Sequence, residues 1–169
     1  MPLVKYPDPR LRVVSRRIDE CENVSLELIG EILFWMKHPH VQSISAPQLG
    51  FSVRVIAIKW ASEHLILINP EIVKHSDQTF SSIEGCLSFP GDVFYGMTRW
   101  KQVKVTGKLL WGVRGGDTPP SGTYKVHGLE AASFQHEIDH LDGLLISRGL
   151  STRRLSIVGR AGKRRAAHG

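Results

Sequence analysis

The chain has 169 residues, 41% hydrophobic and 22% charged, which fits one globular domain with a real core and excludes a disordered polypeptide. No run approaches eighteen apolar residues, so no membrane-spanning helix is expected, and the opening MPLVKYPDPRLRVV lacks the apolar stretch of a secretory signal. The net charge of +6 is confined to one end: seven of the 22 basic residues and none of the 16 acids lie in 148–169, leaving 1–147 near neutral at −1. That distribution excludes a strongly basic body as a basis for nucleic-acid binding; the end segment reads as a solvated tail or as a basic arm.

In chain order, KYPDPRLR is loop chemistry, because two prolines flanking an aspartate block a helix. From about Asn23 to Lys37 the apolar residues Leu28, Ile32, Leu33, Trp35 and Met36 recur at helical spacing, with Asn23 or Ser25 as N-cap and Pro39 as terminator. Residues 41–50 read as a loop ending in Pro47 and Gly50. Strand-like runs follow at 53–58 and 64–70, and a further one begins at Glu71. Another strand pair is expected in 101–111, with Gly107 as bulge or turn, and 112–123 reads as a long loop or hairpin tip. Residues 129–141 are helical, between Gly128 and Gly143. Helix, strands, helix predicts an α+β fold, mainly antiparallel, packed around a central helix.

The sharpest chemical feature is His136-Glu137-Ile138-Asp139-His140. On a helix, positions i and i+4 lie on one face, so two imidazoles there reach one metal ion, and the glutamate between them can act as general base on a bound water. Two histidines do not complete a site. Cys86, in Glu84-Gly85-Cys86-Leu87-Ser88, is the candidate third ligand; a thiolate with two imidazoles leaves a position open, the catalytic pattern. A lone cysteine is otherwise a core residue, and Cys21, between Glu20 and Glu22, reads that way. Two cysteines make no disulfide framework.

Cys86 in EGCLS and His136 and His140 in QHEIDHLDG resemble the metal site of the peptide deformylase family, and Ser45-Ala46-Pro47-Gln48 resembles the end of the family's glycine-rich loop. YPDPRLR and LINPEIV sit in the family's usual order, so the likeness covers about residues 5–150. It implies a catalytic domain over 1–150, followed by a basic tail over 151–169, that hydrolytically removes the formyl group from the N-terminal methionine of new polypeptides. It further implies one divalent ion on Cys86, His136 and His140, typically Fe²⁺, with Zn²⁺, Ni²⁺ or Co²⁺ able to substitute. Glu137 is then the proton carrier, and the Gln48 amide and the Leu87 N–H are oxyanion donors. Ser133, Ala132 and Leu129, on the His136 face, together with Ile44 and Ser43, are the expected walls of a methionine pocket. The expected partners are formyl-methionyl nascent peptides and, through the tail, the ribosome, in the cytoplasm of a bacterium or an organellar matrix.

One departure stands out. Where the family's loop carries Gly-x-Gly-x, this chain has Val41, Gln42, Ser43 and Ile44. A left-handed backbone at Val41 would be badly strained. Two other readings share parts of the pattern. A zinc peptidase would use the same histidines and glutamate with a downstream ligand, for which His168 is the remaining histidine. A binding protein that has lost turnover would keep the metal fold with an altered loop.

Overall fold

The computed structural model describes residues 2–20, 22–60, 63–89, 94–111 and 121–147. The expectations for Cys21, for 112–120 and for the tail 151–169 lie outside the described residues.

Helix α1 spans Leu26–Met36. Of the two candidate caps, Ser25 is the one used: its side chain accepts the Leu28 N–H at 3.4 Å. Leu28, Ile32 and Met36, spaced by four, form its buried stripe. The helix ends ahead of Pro39 as its sequence requires.

The loop expected over 41–50 is more regular than read. Ser43–Ser45 forms a short strand, β1, and Ala46–Leu49 a 3-10 turn closed by Gly50 at φ 87°. Strand β2 is Val55–Trp60. The two runs expected from 64 onward are one strand, β3, Glu63–His75, and the expected pair in 101–111 is also one strand, β6, Gln102–Trp111. Both corrections have one cause. Pro70 has no N–H and Asn69 has φ 51°, features that read as a break, yet the ladder absorbs them as an irregularity in the β3–β6 register between Ile68 and Glu71. Gly107 lies opposite that irregularity, where a Cβ would come within 3.3 Å of the Ile68 carbonyl and the Pro70 Cα. Across the next ladder Gly107 pairs with Gly122 of β7, Ser121–His127, where a Cβ would collide with the Gly107 carbonyl. Ser121, Gly122 and Thr123 are therefore strand, not loop tip.

The resulting sheet has the order β1-β2-β3-β6-β7, antiparallel throughout. Strands β4 (Thr79–Glu84) and β5 (Tyr95–Trp100), which no sequence period announced, form a separate antiparallel pair. Helix α2, Gly128–Leu141, matches the expected span.

Alternation along β2 and β3 divides the core between the two helices. Val55, Ala57, Ile66 and Ile68 join the α1 stripe, while Ile56, Ile58, Leu65 and Leu67 pack with Phe134, Ile138 and Leu141 of α2. A third cluster, Val4, Leu11, Phe89, Leu145 and Ile146, lies against Cys86. The antiparallel α+β expectation holds, and α2 is its central helix, in contact with β1, β2, β3, β4, β5, β6 and β7.

Candidate metal centre

Burial of α2 sets the site. His136, Glu137 and His140 are all buried, although two of the three are strongly polar and the third is a carboxylic acid. Burying groups of that kind is costly unless other groups or a ligand satisfy them. His136 and His140 lie one turn apart with ring centroids 5.0 Å apart. Cys86 enters from the turn that follows β4. Its Sγ stands 3.2 Å from Nε2 of His140, and one donor atom from each of Cys86, His136 and His140 falls within 4.8 Å of the others. Bond lengths of about 2.0–2.3 Å to a tetrahedral ion put nitrogen and sulfur ligands roughly 3–4 Å apart, so the group is near the size of a coordination sphere.

A chain of ion pairs supports one of the imidazoles. His136 Nδ1 donates to Glu84 Oε2 at 2.9 Å, which fixes the direction of the ring and turns its Nε2 edge toward the cysteine. Glu84 also accepts two bonds from Arg99, at 2.7 and 2.8 Å, and Arg99 donates to Asp139 at 2.6 Å. Burial works to raise the Glu84 carboxyl, but the hydrogen bonds from Arg99 and His136 outweigh it and hold the pKa at about 2. Glu84 is thus a fixed anion. Sequence reasoning gave no role to Glu84, Arg99 or Asp139. Glu84 stands two residues before the cysteine and Asp139 one before His140, which is a local signal; Arg99 has none.

The remaining expected residues surround this cluster. Gln48 is buried in the 3-10 turn. Its Oε1 accepts from the Ser45 N–H at 2.9 Å and from the Ser45 hydroxyl at 3.0 Å, which turns Nε2 toward Cys86 Sγ, 3.6 Å away. The amide therefore presents its donor side to the site. Glu137 Oε2 has no hydrogen-bond partner among the described residues. Burial raises the Glu137 pKa, while the His136 charge and the hydroxyls of Ser43 and Ser45 pull it down. The net effect is upward, and a carboxyl held above its ordinary value by burial suits a proton carrier. Burial also pushes His140 well below its ordinary value, assisted by the charges of His136 and Arg99, so its ring is neutral.

A cavity of about 460 Å³ opens on the cluster. Cys86, Leu87, Gln48, His136 and Glu137 lie along it, as do the expected Ser43, Leu129, Ala132 and Ser133. Ile44 does not: it is fully buried and packs in the α1 core, because alternation along β1 sends it to the other face from Ser43. Val41, Ile83 and Phe94 line the cavity instead, Ile83 and Phe94 from the unannounced β4–β5 unit. Asn69 has the one positive φ among described non-glycine residues, so Val41 and Ser43 stand where the family has glycine without a left-handed backbone.

The family model for polypeptide deformylase matches residues 1–155. The chain belongs to that family. It is 36% identical to a peptide deformylase of Desulforudis audaxviator over 145 residues, 85% of this chain and 88% of that protein. It is 34% identical to the chloroplastic peptide deformylase 1B of Oryza sativa over 148 residues, and there spans about half the relative's length (52%). The crystal structure of peptide deformylase from Thermotoga maritima superposes with a TM-score of 0.73 at 31% identity, covering 85% of this chain and 92% of that one. The family uses a divalent metal, and among the described residues Cys86, His136 and His140 form a group that could hold one. Among the described residues no helix is long and apolar enough to cross a membrane.

Proposed function

We propose that the protein is a metal-dependent hydrolase that removes the formyl group from the N-terminal methionine of newly synthesised polypeptides and releases formate. One observation carries the reading: a thiol and two imidazoles converge within 4.8 Å beside a buried carboxyl, Glu137, that has an oxygen without a partner among the described residues. A soft sulfur with two nitrogens fits Fe²⁺, the proposed resident ion, and also Zn²⁺, Ni²⁺ or Co²⁺. When bound, the ion supplies Lewis acidity, making water a nucleophile near neutral pH.

The chain's own residues do the rest. Glu137 takes a proton as water adds to the formyl carbon and delivers it to the methionine nitrogen as the C–N bond breaks. Negative charge grows on the formyl oxygen during that addition. Gln48 Nε2, fixed by Ser45, and the Leu87 N–H are the donors proposed to meet it. The methionine side chain occupies the cavity beside Val41, Leu129, Ala132 and Ser133. Formyl-methionyl nascent chains are the substrates. The tail, set apart from the catalytic domain 1–150, is proposed to approach the ribosome by charge, and the protein to work in a bacterial cytoplasm or an organellar matrix.

The zinc-peptidase alternative requires a downstream ligand in place of the cysteine, and Cys86 already stands against His140. Formate release from a formyl-methionyl peptide, measured beside cleavage of an N-acetylated peptide, tests the choice. The proposal expects only the first; internal cleavage without formate overturns it.

A further inference from the structure

The segment Val4–Tyr6 touches both loops that carry the proposed oxyanion donors. The Val4 N–H donates to the carbonyl of Gln48 at 2.8 Å, and the Tyr6 N–H donates to the carbonyl of Ser88 at 2.7 Å. Between them the Lys5 ammonium reaches the carbonyl of Leu87 at 2.5 Å, 82 residues away in sequence. Val4 is buried with Phe89 and Leu11, and the Tyr6 ring stacks on Phe89 with centroids 4.8 Å apart. The strap is therefore anchored on both sides of Lys5.

The bond from Lys5 falls at a decisive peptide. Leu87 sits between two peptide planes. The first holds its N–H and the Cys86 carbonyl, and the Phe89 N–H fixes it by donating to that carbonyl at 3.1 Å. The second holds the Leu87 carbonyl, and the Lys5 side chain fixes it. With both planes held, neither φ nor ψ of Leu87 is free to drift, and its N–H keeps one direction. An ammonium–carbonyl bond is charge-assisted, stronger than a neutral one.

We propose that Val4–Tyr6 is a strap that sets the two oxyanion donors, Gln48 and Leu87, in register, and that Lys5 is the positioning residue for the Leu87 amide. This rests on the reading of those two groups as oxyanion donors. Oxyanion stabilisation acts on the transition state more than on bound substrate, so misaimed donors lower kcat and leave KM alone.

The test is steady-state hydrolysis of a formyl-methionyl tripeptide by metal-loaded Lys5→Met, Lys5→Arg and Gln48→Ala, with metal content and Tm measured on each. Lys5→Met is expected to lower kcat about tenfold at nearly constant KM, with metal and Tm unchanged, since small misplacements near reacting atoms are costly in rate. Lys5→Arg, which keeps a charged donor, restores most of the loss. Undiminished kcat in Lys5→Met beside a crippled Gln48→Ala overturns the strap while the oxyanion reading stands. Undiminished kcat in Gln48→Ala overturns that reading and the strap with it. A fall in kcat matched by loss of metal also overturns the strap.

Discussion

His136 Nδ1 and Glu84 Oε2 are 2.9 Å apart, and this hydrogen bond joins the candidate metal centre to a buried ion-pair chain that runs through Arg99 to Asp139. It fixes the direction of the ring. Glu84→Gln keeps the shape but removes the anion, and is expected to weaken metal binding by about 10–100-fold, as loss of such supporting partners does elsewhere. Chelator competition measures this. Arg99→Met leaves Glu84 and Asp139 without their shared cation and is expected to cost roughly 3–5 kcal/mol in unfolding free energy. Equal metal affinity in Glu84→Gln and wild type would show that the chain is structural only.

Glu137 offers a separation of roles. It is not among the three donors that converge, so Glu137→Gln is expected to retain metal at wild-type stoichiometry while losing roughly 10²–10⁴ in kcat. His140→Ala and Cys86→Ala are expected to lose metal and activity together. Elemental analysis of each purified variant beside its kinetics distinguishes the two patterns.

Val41 and Ser43 line the cavity where the family's loop has glycines, and neither has a left-handed backbone. What remains is the bulk of the side chains beside the substrate. The double change Val41→Gly, Ser43→Gly is expected to lower KM for formyl-methionyl peptides with little change in kcat. Val41 is also part of the α1 core, so the same variant should unfold at lower temperature. An unchanged or raised KM would mean that these side chains do not obstruct binding.

Deleting 151–169 is expected to leave small-peptide turnover intact and to weaken ribosome binding at low salt, because the proposed attraction is screened by ions. Co-sedimentation across a salt series reads this directly. Binding insensitive to salt or to the truncation would contradict the tether.

Much of the site was legible because its chemistry is local. His136, Glu137 and His140 share one turn of helix, and Cys86 stands in a short motif of its own. Gln48 was found by resemblance, but the reason its amide points inward, the double bond from Ser45, needed coordinates. The β4–β5 pair left no hydrophobic period to read, since the residues its two strands bury, Ser82 and Arg99, are polar. Arg99 was invisible for the same reason: its meaning lies in partners 15 and 40 residues away. Ile44 was misplaced by one step of strand alternation, which cannot be phased until β1 is recognised as a strand. Asn69-Pro70 and Gly107 looked like two breaks and are one shared irregularity, one of three along the β3–β6 ladder.

The most direct test of the account is formate release by the Fe²⁺-loaded, anaerobically purified protein acting on a formyl-methionyl tripeptide, with the metal-stripped protein and Glu137→Gln as controls. The account predicts one formate and one free amino terminus per turnover in the loaded wild type, and near-complete loss in both controls. Absence of formate from a fully loaded protein, or equal release by the stripped one, would contradict it.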